Sequence, residues 1–311
     1  MEFACVFPGQ GSQSVGMVSD FAESFSLVKE YFQEASEVIE IDLWQIVQAG
    51  PAELLNQTQN TQPIMLAASY AIWNIWNLST SKSATVMAGH SFGEVSALTC
   101  AQALSFSQAV KLAHIRGQFM QEAVPEGVGA MAAILGMENL VLEQLCAQVS
   151  AGEFSVEAVN YNAPGQVVVA GHAQAVIQLI ELAKENGAKR ALKLPVSVPA
   201  HSSLMRTAAE KFAIALDDVD FNLPSIPVLQ NTTMTSPSSI EDMTMALQAQ
   251  LHSPVPWVNT IHTINAQAEC IIEMGPGKVL TGLNKRIDKT IKSVCVFDNA
   301  SLEQAIKIIE E

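Results

Sequence analysis

Thr85-Val86-Met87-Ala88-Gly89-His90-Ser91-Phe92-Gly93-Glu94-Val95-Ser96-Ala97-Leu98 decides the fold of this chain. Thr85–Ala88 is an apolar run of strand character, and Glu94–Leu98 has the pattern of a helix. Between them stands G-x-S-x-G, Gly89 to Gly93. A serine on a tight strand-to-helix turn is the setting of a nucleophile elbow. The flanking glycines permit close backbone approach, the hydroxyl is held out where a carbonyl carbon can reach it, and the N–H groups that follow face a developing oxyanion. The pattern arises by chance in about a tenth of chains this long, because Gly and Ser are common. Its position between strand and helix is what favours a nucleophile.

Working outward from the elbow, strand-like runs alternate with helical patterns, which predicts an α/β fold with a largely parallel sheet. Phe3–Phe7 reads as the first strand, closed by Pro8-Gly9-Gln10-Gly11. A strand ending in glycines puts backbone N–H groups at the sheet's carboxyl edge, where ligands bind in open α/β folds. Pro63 marks a predicted helix start, with Ile64, Ala67, Ala68, Ala71, Ile72 and Ile75 as its buried face. Ser105-Phe106-Ser107-Gln108 has a capping-box pattern and opens a helix to about Ala123.

The middle third changes character. Strands at Ala130–Leu135, Val156–Asn160, Val167–Ala170 and Lys189–Leu194 enclose helices at Glu138–Val149 and Ala173–Glu185. That order, βαββαβ, is a ferredoxin-like unit. It predicts a small subdomain at 126–196 inserted into a large domain formed by 1–125 and 197–311. After it, Ser202 or Ser203 is expected to cap a helix to about Leu216, and Ile226–Gln230, Cys270–Glu273 and Val294–Phe297 read as strands.

The 311 residues carry a formal net charge of -15. That balance argues against nucleic acid and against anionic membrane surfaces as partners. Basic residues gather at Lys189, Arg190, Lys193, Arg206 and Lys211, and again at Lys278, Lys285 and Arg286. They could receive an anionic substrate or partner, or be solvated side chains without a common purpose. The five cysteines are scattered with no C-x-x-C, which argues against a zinc site or redox pair and suits a reducing, cytoplasmic compartment. Neither a signal peptide nor a membrane span is expected; the most apolar window, Ile64–Leu78, is broken by Asn74 and Asn77.

A serine hydroxyl needs an adjacent base. His90 neighbours Ser91 and should diverge from it at an elbow, His114 points away from Arg116 on the same helix, and His172 could simply cap a helix. His201, after Val198-Pro199-Ala200, stands at a rigid junction, and pattern alone leaves it even with His252 and His262 together. Arg116, on a helix with Met120 one turn later, is either a solvated face residue or a planar fork for a carboxylate. An esterase or thioesterase is also open, in the order Ser91, then Asp217, Asp218 or Asp220, then His252 or His262.

Long segments then point to a family. FPGQGSQ at 7–13, TQP at 61–63, AGHSFGE at 88–94, RGQFMQEAVPEGVGAMAAI at 116–134, NYNAPGQVVVAGH at 160–172, AKRALKLPVSVPAH at 188–201 and EMGPGKVLTGLNKRI at 273–287 closely resemble the freestanding bacterial malonyl-coenzyme A:acyl-carrier-protein transacylases of fatty-acid synthesis. The resemblance implies an α/β-hydrolase-like domain with a ferredoxin-like insert. It implies Ser91 as the acylated serine, His201 as the catalytic histidine, the N–H groups of Gln10 and Phe92 as the oxyanion hole, and Arg116 as the malonate carboxylate's partner. It puts Gln250 where a backbone carbonyl orients the histidine, and Asn160 and Asn162 in the cleft. Malonyl-coenzyme A and acyl carrier protein are the implied partners, with no metal or redox cofactor; a monomer is expected. A non-catalytic docking protein is disfavoured by an intact serine, histidine and arginine, and a freestanding acyltransferase of a polyketide pathway would keep the chemistry and change the setting. Phe92 stands where many relatives have Leu, Ala200 replaces Ser or Phe, and Leu251-His252-Ser253 departs from common variants, which bears on acyl-chain selectivity.

Overall fold

The structure, a computed structural model, describes residues 1–196 and 198–311. Its strands are β1 (Phe3–Phe7), β2 (Val86–Gly89), β3 (Gly129–Leu135), β4 (Val156–Ala163), β5 (Gln166–His172), β6 (Arg190–Lys193), β7 (Val228–Leu229), β8 (Cys270–Met274) and β9 (Lys292–Val296). They form two sheets. The first runs β7-β2-β1-β8-β9, parallel throughout. Parallel sheets are covered on both faces, so their strands are apolar without alternation. β1 is buried along its whole length, and its alternate residues feed different layers: Phe3, Cys5 and Phe7 pack into one core, Ala4 and Val6 into another. Because β1 is central, its carboxyl end opens beside those of β2 and β8, where a ligand crevice is expected.

The second sheet, β4-β5-β3-β6, is antiparallel. With helices Asn139–Val149 and Ala173–Glu185 it makes the expected βαββαβ unit. The helices cover one face through Leu142, Leu179 and their neighbours. The other face presents Met131, Val159, Val168 and Ala170, against which Leu194, Val196 and Ala200 pack. Register shifts in β4 fall between Ala158 and Asn160 and between Tyr161 and Ala163. Such bulges re-aim side chains. Val159 and Tyr161 bond Val255 through their backbones, which ties β4 to the segment following Gln250.

Three sequence-based expectations are corrected. The helix assigned to begin at Pro63 runs from Thr58 to Ser79, with Pro63 inside it. A proline there deprives the Gln59 carbonyl of its i+4 donor. His114 Nδ1–H donates to that oxygen at 3.0 Å, and Gln118 Nε2 donates to His114 Nε2 at 2.9 Å. Neither Ser202 nor Ser203 caps the helix Arg206–Asp217: a 3-10 turn at Ser203–Met205 intervenes. The Ser202 hydroxyl donates to the Pro199 carbonyl, and Ser203 N–H and hydroxyl donate to Glu157. The strand expected at Ile226–Gln230 shrinks to β7, two residues at the sheet edge, since Pro227 has no N–H to give a ladder. No helix among the described residues is long and apolar enough to cross a membrane.

Candidate active site

β2 delivers Ser91 into a turn with φ of 53°, a left-handed conformation that is strained for a residue with a side chain. Close approach explains the flanking glycines. A Cβ on Gly89 would overlap the Gly93 backbone, and one on Gly93 would overlap the Phe7 carbonyl of β1. The elbow is pinned from outside as well: Ser91 N–H donates to Asn231 Oδ1 at 2.9 Å, and Asn231 Nδ2 donates to the Gly89 carbonyl at 2.7 Å. His90 diverges from the serine. Its Nε2–H donates to Asn162 Oδ1 at 2.7 Å, and its ring meets Trp257 edge-on.

His201 is the imidazole at the serine: Ser91 Oγ–H donates to His201 Nε2 at 2.6 Å. His201 also has a positive φ, 67°, and its N–H donates to the Leu251 carbonyl. Its Nδ1–H donates to the Gln250 carbonyl at 2.8 Å. That bond selects the tautomer in which Nε2 is a proton acceptor. Burial, then the nearby Arg116 charge, pushes the His201 pKa down to about 3, against the pull of the Gln250 carbonyl. The ring is therefore neutral at pH 7, as a base must be.

Arg116 sits on the helix Phe106–Glu122 and is 1 % exposed. Nη2 donates to Gln250 Oε1 at 2.8 Å; among the described residues Nη1 has only the Met120 thioether at 3.1 Å and Nε has no partner. No carboxylate lies within 4 Å of it among the described residues. Burial lowers its pKa to about 10, while Glu94 opposes that change. A buried, still-cationic guanidinium without an ion-pair partner is poised to take an anion.

One cavity of about 510 Å³ at the carboxyl edge of the parallel sheet is lined by Gln10, Ser91, Phe92, Arg116, Asn160, Asn162 and His201. The face of the antiparallel sheet turned away from its helices, through the buried Met131 and Val168, supplies its opposite wall. Among the described residues the Gln10 and Phe92 N–H groups make no hydrogen bond, which leaves two donors beside the serine. Gln250 stands behind the cavity wall. Its carbonyl holds His201 while its side chain bridges Arg116, the Ser91 carbonyl and Glu94. His252 and His262 do not line the cavity.

An acyl transferase domain profile matches residues 4–302. The malonyl CoA-acyl carrier protein transacylase of Escherichia coli (strain K12) is 47% identical over 308 residues, 99% of each chain. The chain belongs to the malonyl CoA-acyl carrier protein transacylase family. Two solved structures that it matches are similar throughout. An acyl carrier protein S-malonyltransferase from Vibrio cholerae is 52% identical with a TM-score of 0.95, covering 98% of this chain and all of that one. A malonyl-transacylase solved in complex with a type II PKS acyl-carrier protein is 48% identical with a TM-score of 0.97, covering 99% of this chain and all of that one.

Several residues escaped the sequence reading. Glu94, whose place in the AGHSFGE stretch signals no task, is a fully buried carboxylate. Gln230 and Asn231, just beyond β7, carry no local signal at all. Gln62, from the TQP segment, lines the cavity with its Oε1 unpartnered. Glu273, in the EMGPGK segment, accepts the Leu280 and Thr281 N–H groups and so caps the helix Val279–Ile287. No cluster of side chains able to hold a metal occurs among the described residues.

Proposed function

We propose that this enzyme carries a malonyl group from malonyl-coenzyme A to the phosphopantetheine thiol of an acyl carrier protein, through a malonyl ester on Ser91, and so supplies fatty-acid synthesis. The observation that carries the reading is a neutral His201 bonded to Ser91 Oγ at 2.6 Å in the same cavity as the unpaired Arg116. The order is ping-pong. His201 Nε2 takes the Ser91 proton as Oγ attacks the thioester carbonyl. The Gln10 and Phe92 N–H groups hold the oxyanion; one such donor is typically worth about 3–4 kcal/mol. The C–S bond breaks, imidazolium His201 returns its proton to the departing thiolate, and coenzyme A leaves. The carrier thiol then attacks the ester by the reverse sequence, its proton passing through His201 back to Ser91.

Arg116 grips the free carboxylate of malonate, and this gives the preference over acetyl groups, which leave the guanidinium unpaired. The Gln250 carbonyl orients His201 in place of an acid, since orientation and tautomer are the orienter's main tasks. Asn162 acts through His90, and Asn160, whose Oδ1 is buried and unpartnered, faces the acyl or pantetheine chain. Residues 1–125 with 197–311 form the large acyltransferase domain and 126–196 the ferredoxin-like small subdomain. A cytoplasmic monomer acting without metal or redox cofactor completes the reading; five free cysteines support a reducing compartment.

The test is intact-mass measurement after mixing with malonyl-coenzyme A. The expected result is one added malonyl mass, absent in Ser91→Ala and discharged by carrier thiol faster than by water. Discharge by water at the same rate points instead to an esterase, and a mass gain surviving Ser91→Ala overturns the assignment.

A further inference from the structure

Glu94 is the first acidic residue after the elbow, on the helix Gly93–Cys100, and the reaction just described gives it no task. Its carboxylate is fully buried and accepts three hydrogen bonds, two from the neighbours Gln230 and Asn231 and one from Gln250. Oε1 accepts from Gln230 Nε2 at 3.1 Å. Oε2 accepts from the Asn231 N–H at 2.8 Å and from Gln250 Nε2 at 2.7 Å. Two of these donors go on to hold reacting groups, while Gln230 Nε2 is shared with the Met243 carbonyl at 3.0 Å. Asn231 holds the Ser91 N–H through its side chain. Gln250 holds the Ser91 carbonyl at 3.1 Å, Arg116 Nη2 at 2.8 Å and, through its backbone, His201 Nδ1–H at 2.8 Å. A buried carboxylate with three donors is a demanding arrangement: removing it takes one acceptor from each glutamine amide, which keep the Ser91 and Met243 carbonyls, and leaves the Asn231 N–H with none among the described residues.

We propose, on the basis of the acyl-transfer reading above, that Glu94 is the positioning residue that holds serine, histidine and arginine in one frame. It touches neither substrate nor reacting atoms. It fixes the Gln250 amide and the Asn231 backbone, and through them the angle of the elbow, the ring of His201 and the fork of Arg116. Pre-set geometry of this kind governs rate, because small displacements of a nucleophile–base pair cost large factors in reactivity.

The geometry also ranks the substitutions. A glutamine keeps the length, and its carbonyl at the Oε2 position still accepts from Asn231 and Gln250; only the Gln230 contact becomes donor against donor. An aspartate keeps the charge but is one methylene too short to reach both sides. An alanine loses everything. The experiment is steady-state kinetics of malonyl transfer for Glu94→Gln, Glu94→Asp and Glu94→Ala, normalised to the serines that acquire malonyl mass in a burst. Expected kcat per active serine falls within about fivefold of wild type for Gln, and roughly thirtyfold or more for Ala, with Asp between them. A purely structural part would lower the active fraction and leave kcat per active serine alone. Asp outperforming Gln, or an Ala kcat within threefold of wild type, overturns the proposal. If the Ala variant is insoluble, the order of Gln and Asp decides it. A wild-type protein that gains no malonyl mass would sink the acyl-transfer reading instead.

Discussion

Arg116→Ala tests the origin of malonyl selectivity. The guanidinium is buried, Nε is free, and Nη1 is engaged only by a thioether, a weak acceptor. A malonate carboxylate can therefore gain two charge-assisted hydrogen bonds without displacing the Gln250 contact. At about 1.5–3 kcal/mol each these give about 3–6 kcal/mol, and desolvation of the incoming carboxylate favours the lower end. Three kcal/mol corresponds to roughly a hundredfold. An acetyl group makes neither bond and loses nothing. The quantity to measure is kcat/KM for malonyl-coenzyme A divided by that for acetyl-coenzyme A, in wild type and variant. Taking the ratio within one protein removes any general loss from a damaged fold. The ratio should fall by about a hundredfold or more in the variant. A ratio within roughly threefold of wild type would refute the argument, because the buried unpaired guanidinium that lines the cavity would then be irrelevant to the charged substrate.

Other outcomes follow from the same geometry. Gly93→Ala places a Cβ into the Phe7 carbonyl and should lower stability by about 3 kcal/mol or more, read as a falling urea midpoint; an unchanged midpoint would mean that the elbow relaxes freely. His114→Ala orphans the partly buried Gln59 carbonyl that Pro63 leaves without a helical donor; chemical denaturation should show a loss of about 1 kcal/mol with kcat unaffected. The stability difference between Glu94→Gln and wild type should depend on pH. Burial raises the Glu94 carboxyl from 4.5 to about 7, so the folded protein binds more protons than the unfolded one between those values. Wild type therefore loses stability as pH rises through that window, by on the order of 3 kcal/mol, and the glutamine variant does not. His201 has the opposite sense: lowered from 6.5 to about 3, it contributes full stability above 6.5 and progressively less as pH falls toward 3. It is common to both proteins and cancels in the comparison. Urea titrations at pH 5 and pH 8 should show the variant gaining on wild type at the higher pH, and a pH-independent difference would contradict the buried carboxylate.

The local features of this chain were legible because they are written in short stretches. An elbow needs glycines within two residues of the serine. A buried parallel strand needs a continuous apolar run, as in Phe3–Phe7. The βαββαβ unit is a succession of periodicities, each readable within its own segment. Where local signs misled, a neighbour had supplied what the segment lacked: His114 satisfies the carbonyl beneath Pro63, and Glu157 claims Ser203.

What only the tertiary structure decided is which distant groups meet. Histidine spacing left His201 even with His252 and His262, and resemblance to a family, not pattern, favoured it. In the fold it is His201, 110 residues along the chain, that bonds Ser91 Oγ. Glu94 and Asn231 stand 137 residues apart, and Gln250 lies 159 residues from the serine carbonyl that it holds. No local propensity encodes such contacts, because a side chain's partner is set by sheet order and loop path rather than by its neighbours in the chain. Burial then sets their acidity: the same imidazole, carboxyl and guanidinium would titrate ordinarily in water, and here the first is pushed down to about 3, the second up to about 7 and the third down to about 10.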